Sequence, residues 1–399
     1  MFDTIFTQAL FESGALHDIG VAGGRIAGIE PTGTLEGSGA RVDCGGELVV
    51  PGFVEGHLHL DTSFWGDKWF PYRPCTNGFD VAERVAIQAE NMARAAPMEE
   101  RARNQLDLCI GQGSLRMRSH VMVDANSTGL RSLETILAVR ETYRELIDIQ
   151  LVAFPQAGIV RSPGTAELLD EAVGMGADLV GGLDPAGFDR DVEGHLGVIF
   201  GIAERRGVGV DIHLHEAGML GVFTIEQICA RTEALGLQGK VAVSHAYGLG
   251  DVGEDVARRT GEKLARAGVA IMTNAPGEHA FPPVALLRGE GVTVFSGSDN
   301  IRDSWWPYGD GDMLGRAMLI GYRSGFYTDE QLRDAFDVVT RAGAEALGLD
   351  DYGIAVGCTA DFVVMPARHV PEAVVGVPKR RRVFRRGRLI AENGVVLRD

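Results

Sequence analysis

Between residues 50 and 300 the chain repeats one unit: a short β-branched or apolar run, then a longer amphipathic stretch rich in Ala, Leu, Arg and Glu. Successive runs are too far apart for tight hairpins and far enough apart for crossover helices, so the pattern reads as parallel βα units. Eight runs qualify: "LVVPGFVEGHLHL" ending near His59, "SHVMVDA" near Asp124, "IQLVAFPQ" ending at Gln156, "DLVGGLDP" near Asp184, "VGVDIHLHE" ending near Glu216, "VAVSHAY" around His245, "VAIMTNAP" near Asn274 and "VTVFSGSD" ending at Asp299. The periodicity predicts helices over 81–112, 131–146, 165–175, 193–206, 222–235, 252–267 and 282–290.

Eight parallel strands with seven crossovers, and a helical stretch after 310, predict an α/β fold: a (β/α)8 TIM-type barrel over residues 51–349. Functional side chains of such a barrel sit at the carboxyl ends of its strands, which gives polar residues there special weight. Residues 1–50 and 350–399 read differently, as short β runs with Gly and Asn turns, and predict one small β-sandwich domain built from both termini. The basic run "PKRRRVFRRGRL" alternates through Val383 and Phe384 into a Gly turn and reads as a solvated strand pair. The aromatic segment 61–80, "DTSFWGDKWFPYRPCTNGFD", follows the first strand and is expected to lid the site.

Charge narrows the partners. A formal net charge of -17 repels nucleic acid phosphates and anionic lipid, leaving a small molecule as ligand. Asp3 stands where a secretory signal would be basic, and no segment offers the roughly 18 apolar residues of a membrane helix, so the expected location is cytoplasmic. Five scattered cysteines without a C-x-x-C spacing indicate neither a disulfide framework nor a thiolate zinc site. The lone Pro74-Cys75 pair also excludes the H-x-E, P-C-x-x-C class of deaminases.

His57 and His59 share one strand face, and alone that pair fits structure or metal equally. His213, His245 and Asp299 add metal-competent groups at the ends of the fifth, sixth and eighth strands, facing the same barrel mouth. Imidazoles with one carboxylate suit Zn2+ or Fe2+ in an open, catalytic site.

Together "PGFVEGHLHLD", "DIHLHE", "VSHA" and "SGSDNIRDSWWPYGDGDM" resemble the amidohydrolase superfamily, and within it the cytosine deaminase-like group, which also includes enzymes that hydrolyse amino-substituted s-triazines such as N-isopropylammelide. The resemblance spans nearly the whole chain, through "LVAFPQAGI", "DLVGGLDP" and "LGLDDYGIAVGCTADFVVM". It implies that His57, His59, His213 and Asp299 hold one divalent metal, and "DLVGGLDPAG", with no lysine for a bridge, points to the mononuclear subtype. It further implies that the metal lowers the pKa of a water, that Asp299 accepts its proton, that His245 orients the nucleophile and that Glu216 shuttles protons to the ring and the departing amine.

Gln156 and Trp305 resemble the residues that meet the amide edge and the face of the ring. Asn300 agrees with the triazine branch, where cytosine deaminase has aspartate, whereas Glu216 and Thr62 follow cytosine deaminase. The implied activity is hydrolytic deamination of a small amino-substituted N-heterocycle, cytosine- or isocytosine-like, by an enzyme commonly assembled as a homo-oligomer. The alternatives are an aminotriazine amidohydrolase releasing an alkylamine, a pterin deaminase and, remotely, a non-catalytic scaffold.

Four further histidine readings complete the expectations. His215 is placed in the pocket or behind the ligands, His120 is a satisfied core histidine, His279 lies on the rim as a substrate contact or plain loop residue, and His195 carries no function.

Overall fold

The structure is a computed structural model that describes residues 1–277, 279–379 and 381–398. Eight parallel strands follow one another in chain order around a single sheet: β1 (Phe53–Leu58), β2 (Ser114–Met122), β3 (Asp148–Phe154), β4 (Leu179–Leu183), β5 (Gly209–Leu214), β6 (Val241–His245), β7 (Val269–Met272) and β8 (Val294–Phe295). The barrel closes where Gly56 N–H donates to Ser296 O at 3.0 Å and Asp299 N–H to His57 O at 2.8 Å. Closure needs glycine on both sides of the seam. A Cβ on Gly297 would sit 2.4 Å from the His57 backbone, and one on Gly56 would sit 2.6 Å from Ser296 O.

The buried strand runs predicted as near-continuous apolar segments form the main core with the inward faces of the surrounding helices. The helix expected over 81–112 is two, Val81–Met92 and Met98–Gly111, because Pro97 lacks the N–H that would continue the first and starts the second instead. Asp80 caps the first by accepting from Glu83 N–H at 2.8 Å. The helix expected over 252–267 is Glu254–Ala267, preceded by a short turn, Gly248–Asp251.

The termini meet in a second sheet of nine strands. Leu48–Pro51 pairs antiparallel with Phe362–Met365, which stitches the amino-terminal strands to the carboxyl-terminal ones. The expected sandwich is therefore one continuous hydrogen-bonded sheet, curled round its own core, where Phe6 meets the rings of Phe362 and Phe384 edge-on at 4.8 and 4.9 Å.

The basic run corrects one expectation. Arg382–Arg385 and Arg388–Glu392 do form an antiparallel pair, but it is not simply solvated. Arg381 and Arg385 are only 1% and 2% exposed. Arg381 makes a two-pronged bond to Asp312 at 2.8 and 3.0 Å, and Arg385 reaches Asp361 and Asp148, each at 2.6 Å. Planar guanidinium groups on the buried carboxylates of Asp312 and Asp361, and on the exposed one of Asp148, make these arginines rivets between the terminal sheet and the barrel. Arg380, within the same run, lies outside the described residues. Among the described residues no helix is long and apolar enough to cross a membrane.

Candidate active site

Backbone strain marks the mouth of the barrel. Asp184, His245, Ala246, Ala275 and Asp299, all at or just past the carboxyl ends of strands, adopt left-handed φ between +37° and +74°. Such conformations are disfavoured for residues with a Cβ and persist where the surrounding structure needs a side chain re-aimed.

Those strand ends bring the expected residues together. His213 Nε2 stands 3.1 Å from His57 Nε2 and 3.2 Å from His59 Nε2. Asp299 Oδ1 lies 3.5 and 3.4 Å from the same nitrogens of His57 and His59. His57, His213, His245 and Asp299 can each offer an atom within 4.8 Å of the other three.

Protons alone do not satisfy this cluster. Arg118 donates to Asp211 Oδ2 at 3.0 Å, which keeps Asp211 an acceptor, so Ser244 must donate its one proton to Asp211 Oδ1 at 2.7 Å. Ser244 Oγ can then only accept, at 2.9 Å, from His57 Nδ1–H. That leaves a bare lone pair on His57 Nε2, aimed at the other two imidazoles, and one proton on His213 can serve only one of its two neighbours. A cation among the four groups satisfies all of them at once, so the residues present fit a divalent metal.

The charge states agree. Burial, followed by the charges of neighbouring His120 and His57, holds His213 well below the ordinary histidine range, in its neutral ligating form. Burial opposes ionisation of Asp299, but the nearby imidazoles of His245, His57 and His59 outweigh it and hold the carboxyl well below its usual range. Asn274 Nδ2 donates to Asp299 Oδ2 at 2.8 Å and fixes the carboxylate plane. Among the described residues neither ring nitrogen of His245 has a hydrogen-bond partner.

Beside the cluster lies a pocket of about 490 Å3 of empty space, open solvent at its mouth included. His59, His213, His245 and Asp299 form one side of it, and Thr62, Gln156, Asn300 and Trp305 line the rest. Asp303 organises that second side: it accepts from Asn300 Nδ2 at 2.6 Å and from the backbone N–H groups of Trp305 and Trp306 at 2.7 and 3.0 Å. Burial pushes its carboxyl up to about 6.

His215 lies in the pocket, one of the two places expected of it, whereas Glu216 is turned away from the cavity. Glu216 Oε1 accepts from the N–H groups of Ala186 and Gly187 at 2.7 and 2.9 Å, Oε2 accepts from the Thr224 hydroxyl, and the side chain is not part of the pocket wall. Its carboxylate holds the loop after β4. His215 does line the pocket, with Nδ1 2.8 Å from Asp184 Oδ2 and its ring stacked at 4.6 Å on His245.

His279 packs against the pocket wall, 4.9 Å from Phe79 and 5.1 Å from Tyr247 between ring centres, without lining the cavity. His120 is buried as expected but not satisfied: among the described residues neither nitrogen has a hydrogen-bond partner, and its ring lies 4.0 Å from that of His57. His195 closes the loop after β4, with Nδ1 2.6 Å from Asp189 Oδ2. The segment 61–80 contributes Thr62 and Phe79 to the pocket, while Phe64 is buried and stacked on Phe70 at 4.2 Å.

Sequence reasoning missed Gln88, Phe154, Tyr247 and Trp306 in the wall and the Arg118–Asp211–Ser244 chain behind His57. Phe154 and Tyr247 follow directly from the ends of β3 and β6, a signal available in the strand assignment.

Comparison with known proteins agrees with this construction. Residues 40–391 match the amidohydrolase family. The chain is 33% identical over 404 residues to N-isopropylammelide isopropyl amidohydrolase of Pseudomonas sp. (strain ADP), covering 99% of each. The crystal structure of N-isopropylammelide isopropylaminohydrolase from Burkholderia multivorans ATCC 17616 superposes with a TM-score of 0.93 at 40% identity, covering 100% of both chains. That of 5-methylcytosine deaminase from Klebsiella pneumoniae, liganded with 5-fluorocytosine, gives 0.85 at 26% identity over 97% of both. Fold, mouth and matched length lead to one conclusion: this chain belongs to the amidohydrolase family, as a metal-dependent hydrolase of C–N bonds.

Proposed function

We propose that this enzyme is a mononuclear deaminase that hydrolyses the exocyclic C–N bond of a small amino-substituted N-heterocycle, cytosine- or isocytosine-like, and releases ammonia. The observation that carries the reading is one pocket holding both the His59, His213 and Asp299 donors and the ring-binding candidates Gln156 and Trp305. A zinc or iron ion held by His57, His59, His213 and Asp299 would supply Lewis acidity and bring the pKa of a water toward neutrality. Arg118 on Asp211 disfavours a second cation at the neighbouring His57, His120 and Asp211 group, which supports a single ion.

The chain's own groups divide the remaining work. Asp299, steadied by Asn274, accepts the proton released as the water attacks the amine-bearing carbon. His245 orients that water. Gln156, Asn300 and Thr62 present donors and acceptors to a lactam edge, and Trp305 covers the ring. His215, facing the cavity with Asp184 behind it, is placed to hand a proton to the departing amine, while Glu216 positions the loop carrying Asp184. The reading extends to a cytoplasmic homo-oligomer, and the chain's strong negative charge, which repels polyanions, supports a free small molecule as its ligand.

A second reading, release of an alkylamine from an aminotriazine, is favoured by the likeness to the two N-isopropylammelide enzymes. Metal-loaded enzyme should be offered cytosine, isocytosine, aminotriazines, pterins and N-isopropylammelide, with ammonia and isopropylamine both measured. Ammonia from a ring base supports deamination, isopropylamine alone moves the assignment to the second reading, and no amine from any ring overturns both. With an active substrate, His215→Asn should lower kcat about 100-fold and Glu216→Gln much less; the reverse order returns the proton shuttle to Glu216.

A further inference from the structure

Gln88, on the helix Val81–Met92, is 3% exposed and lines the pocket beside Gln156. The Trp305 indole Nε1 lies 2.6 Å from Gln88 Oε1. An indole nitrogen only donates, so the Gln88 atom it meets has to be the carbonyl oxygen. Gln88 Nε2 is then turned toward Gln156 Oε1, 2.9 Å away, and Gln156 Nε2 returns a bond to Gln88 Oε1 at 3.2 Å.

The chain of consequence runs one way. Reversing the Gln156 amide would set N–H against N–H, and reversing Gln88 would set N–H against the indole N–H. Among the described residues Gln156 keeps one N–H and one oxygen lone pair unused, each in a defined place. Two amides and an indole are thus locked into one arrangement before any ring enters.

We propose that Gln88 is the positioning residue for ring recognition: through its bonds to Gln156 and Trp305 it sets which donor and which acceptor the pocket offers the edge of the heterocycle. This rests on the reading that the ring lies between Gln156 and Trp305. The ligand class it selects is a neutral ring with a lactam edge, whose adjacent C=O and N–H complement an amide of fixed orientation.

Gln88→Glu keeps an acceptor for Trp305 but sets a carboxylate oxygen against Gln156 Oε1, so the wild-type orientation of the Gln156 amide is no longer held. Gln88→Met removes both links at similar volume. Cytosine, isocytosine and N-isopropylammelide serve as probes, with kcat/KM from amine release and Kd from tryptophan fluorescence, so that selectivity is read even where turnover is slow. Gln88→Glu should change the cytosine to isocytosine ratio by about tenfold or more, the scale of one buried hydrogen bond made or broken, with metal content unchanged. Gln88→Met should flatten the ratio. A parallel loss for all three rings, or an unchanged ratio in both variants, overturns the proposal.

Should the wild-type metal enzyme neither bind nor turn over any probe, the proposed function fails separately. The Trp305 indole N–H resonance then decides the positioning link. Moved upfield in Gln88→Met and retained in Gln88→Glu, it upholds the link; unmoved in both, it overturns it.

Discussion

Two buried polar regions of this molecule are built to opposite rules. At the seam between the terminal sheet and the barrel, Arg381 meets Asp312, and Arg385 and Arg116 share Asp361, so each charge faces its opposite at 2.5–3.0 Å. At the barrel mouth, three imidazole nitrogens point at one another at 3.1–3.2 Å on strand ends whose backbone is strained. The seam's charges are paired within the chain, with Arg385 Nε left without a hydrogen-bond partner among the described residues. The mouth is complete only with a cation, and that difference separates buried polarity that holds the fold from buried polarity that does chemistry.

Mutation can break the comparison from either side. The largest effect is expected at the mouth: Asp299→Ala should lower amine release on the order of a thousandfold and reduce bound metal while the melting of the metal-free protein barely changes. At the seam the pattern inverts. Arg381→Met leaves the buried Asp312 carboxylate with the Lys379 ammonium at 2.8 Å and the helix amides of Leu314 and Gly315, and should cost about 3 kcal/mol in denaturant unfolding with metal affinity of the folded protein intact.

A smaller effect sharpens the distinction. Ser244→Ala removes the acceptor that keeps the His57 proton on Nδ1 and should weaken metal binding about 10- to 100-fold, read by competition with a chelating dye. Unchanged affinity would mean that the Arg118–Asp211–Ser244 chain is seam-like, serving structure only. The smallest effect is pH-dependent. Burial opposes ionisation of Asp312, but Arg381 and Lys379 outweigh it and depress its carboxyl below the usual range. A depressed folded pKa gives stability that is present above an unfolded value of about 4 and lost as pH falls through the folded one. Asp312→Asn should therefore flatten the acid limb of the stability profile below about pH 4; an unchanged slope would show that Asp312 does not contribute to it.

Most of the mouth is legible in the sequence because a parallel barrel converts strand-end positions into neighbours. His57, His59, His213 and Asp299 are far apart in the chain, yet the eight-strand pattern alone sends them to one rim. Register adds more: His213 pairs with Ser244 across β5 and β6, which sets Ser244 beside the ligands once the strands are aligned. Side-chain direction is where legibility ends. Glu216 stands three residues after His213, but spacing cannot show that the amides of Ala186 and Gly187 claim its carboxylate. Gln88 escaped notice because it comes from a helix in the long β1–β2 connection, whose approach to the rim no periodicity reports. The arginines of the basic tail were read from their own alternation, while their burial depends on Asp312, Asp361 and Asp148, supplied by distant parts of the chain.

Whether the mouth is incomplete without a cation is decided by titrating metal-free protein with zinc and iron while following bound metal and melting temperature together. One ion per chain, with a melting temperature that rises as the site fills and does so no longer in His57→Ala or His213→Ala, is the predicted result. A folded wild-type protein that takes up no ion, or takes it up equally well after both histidines are removed, would contradict it.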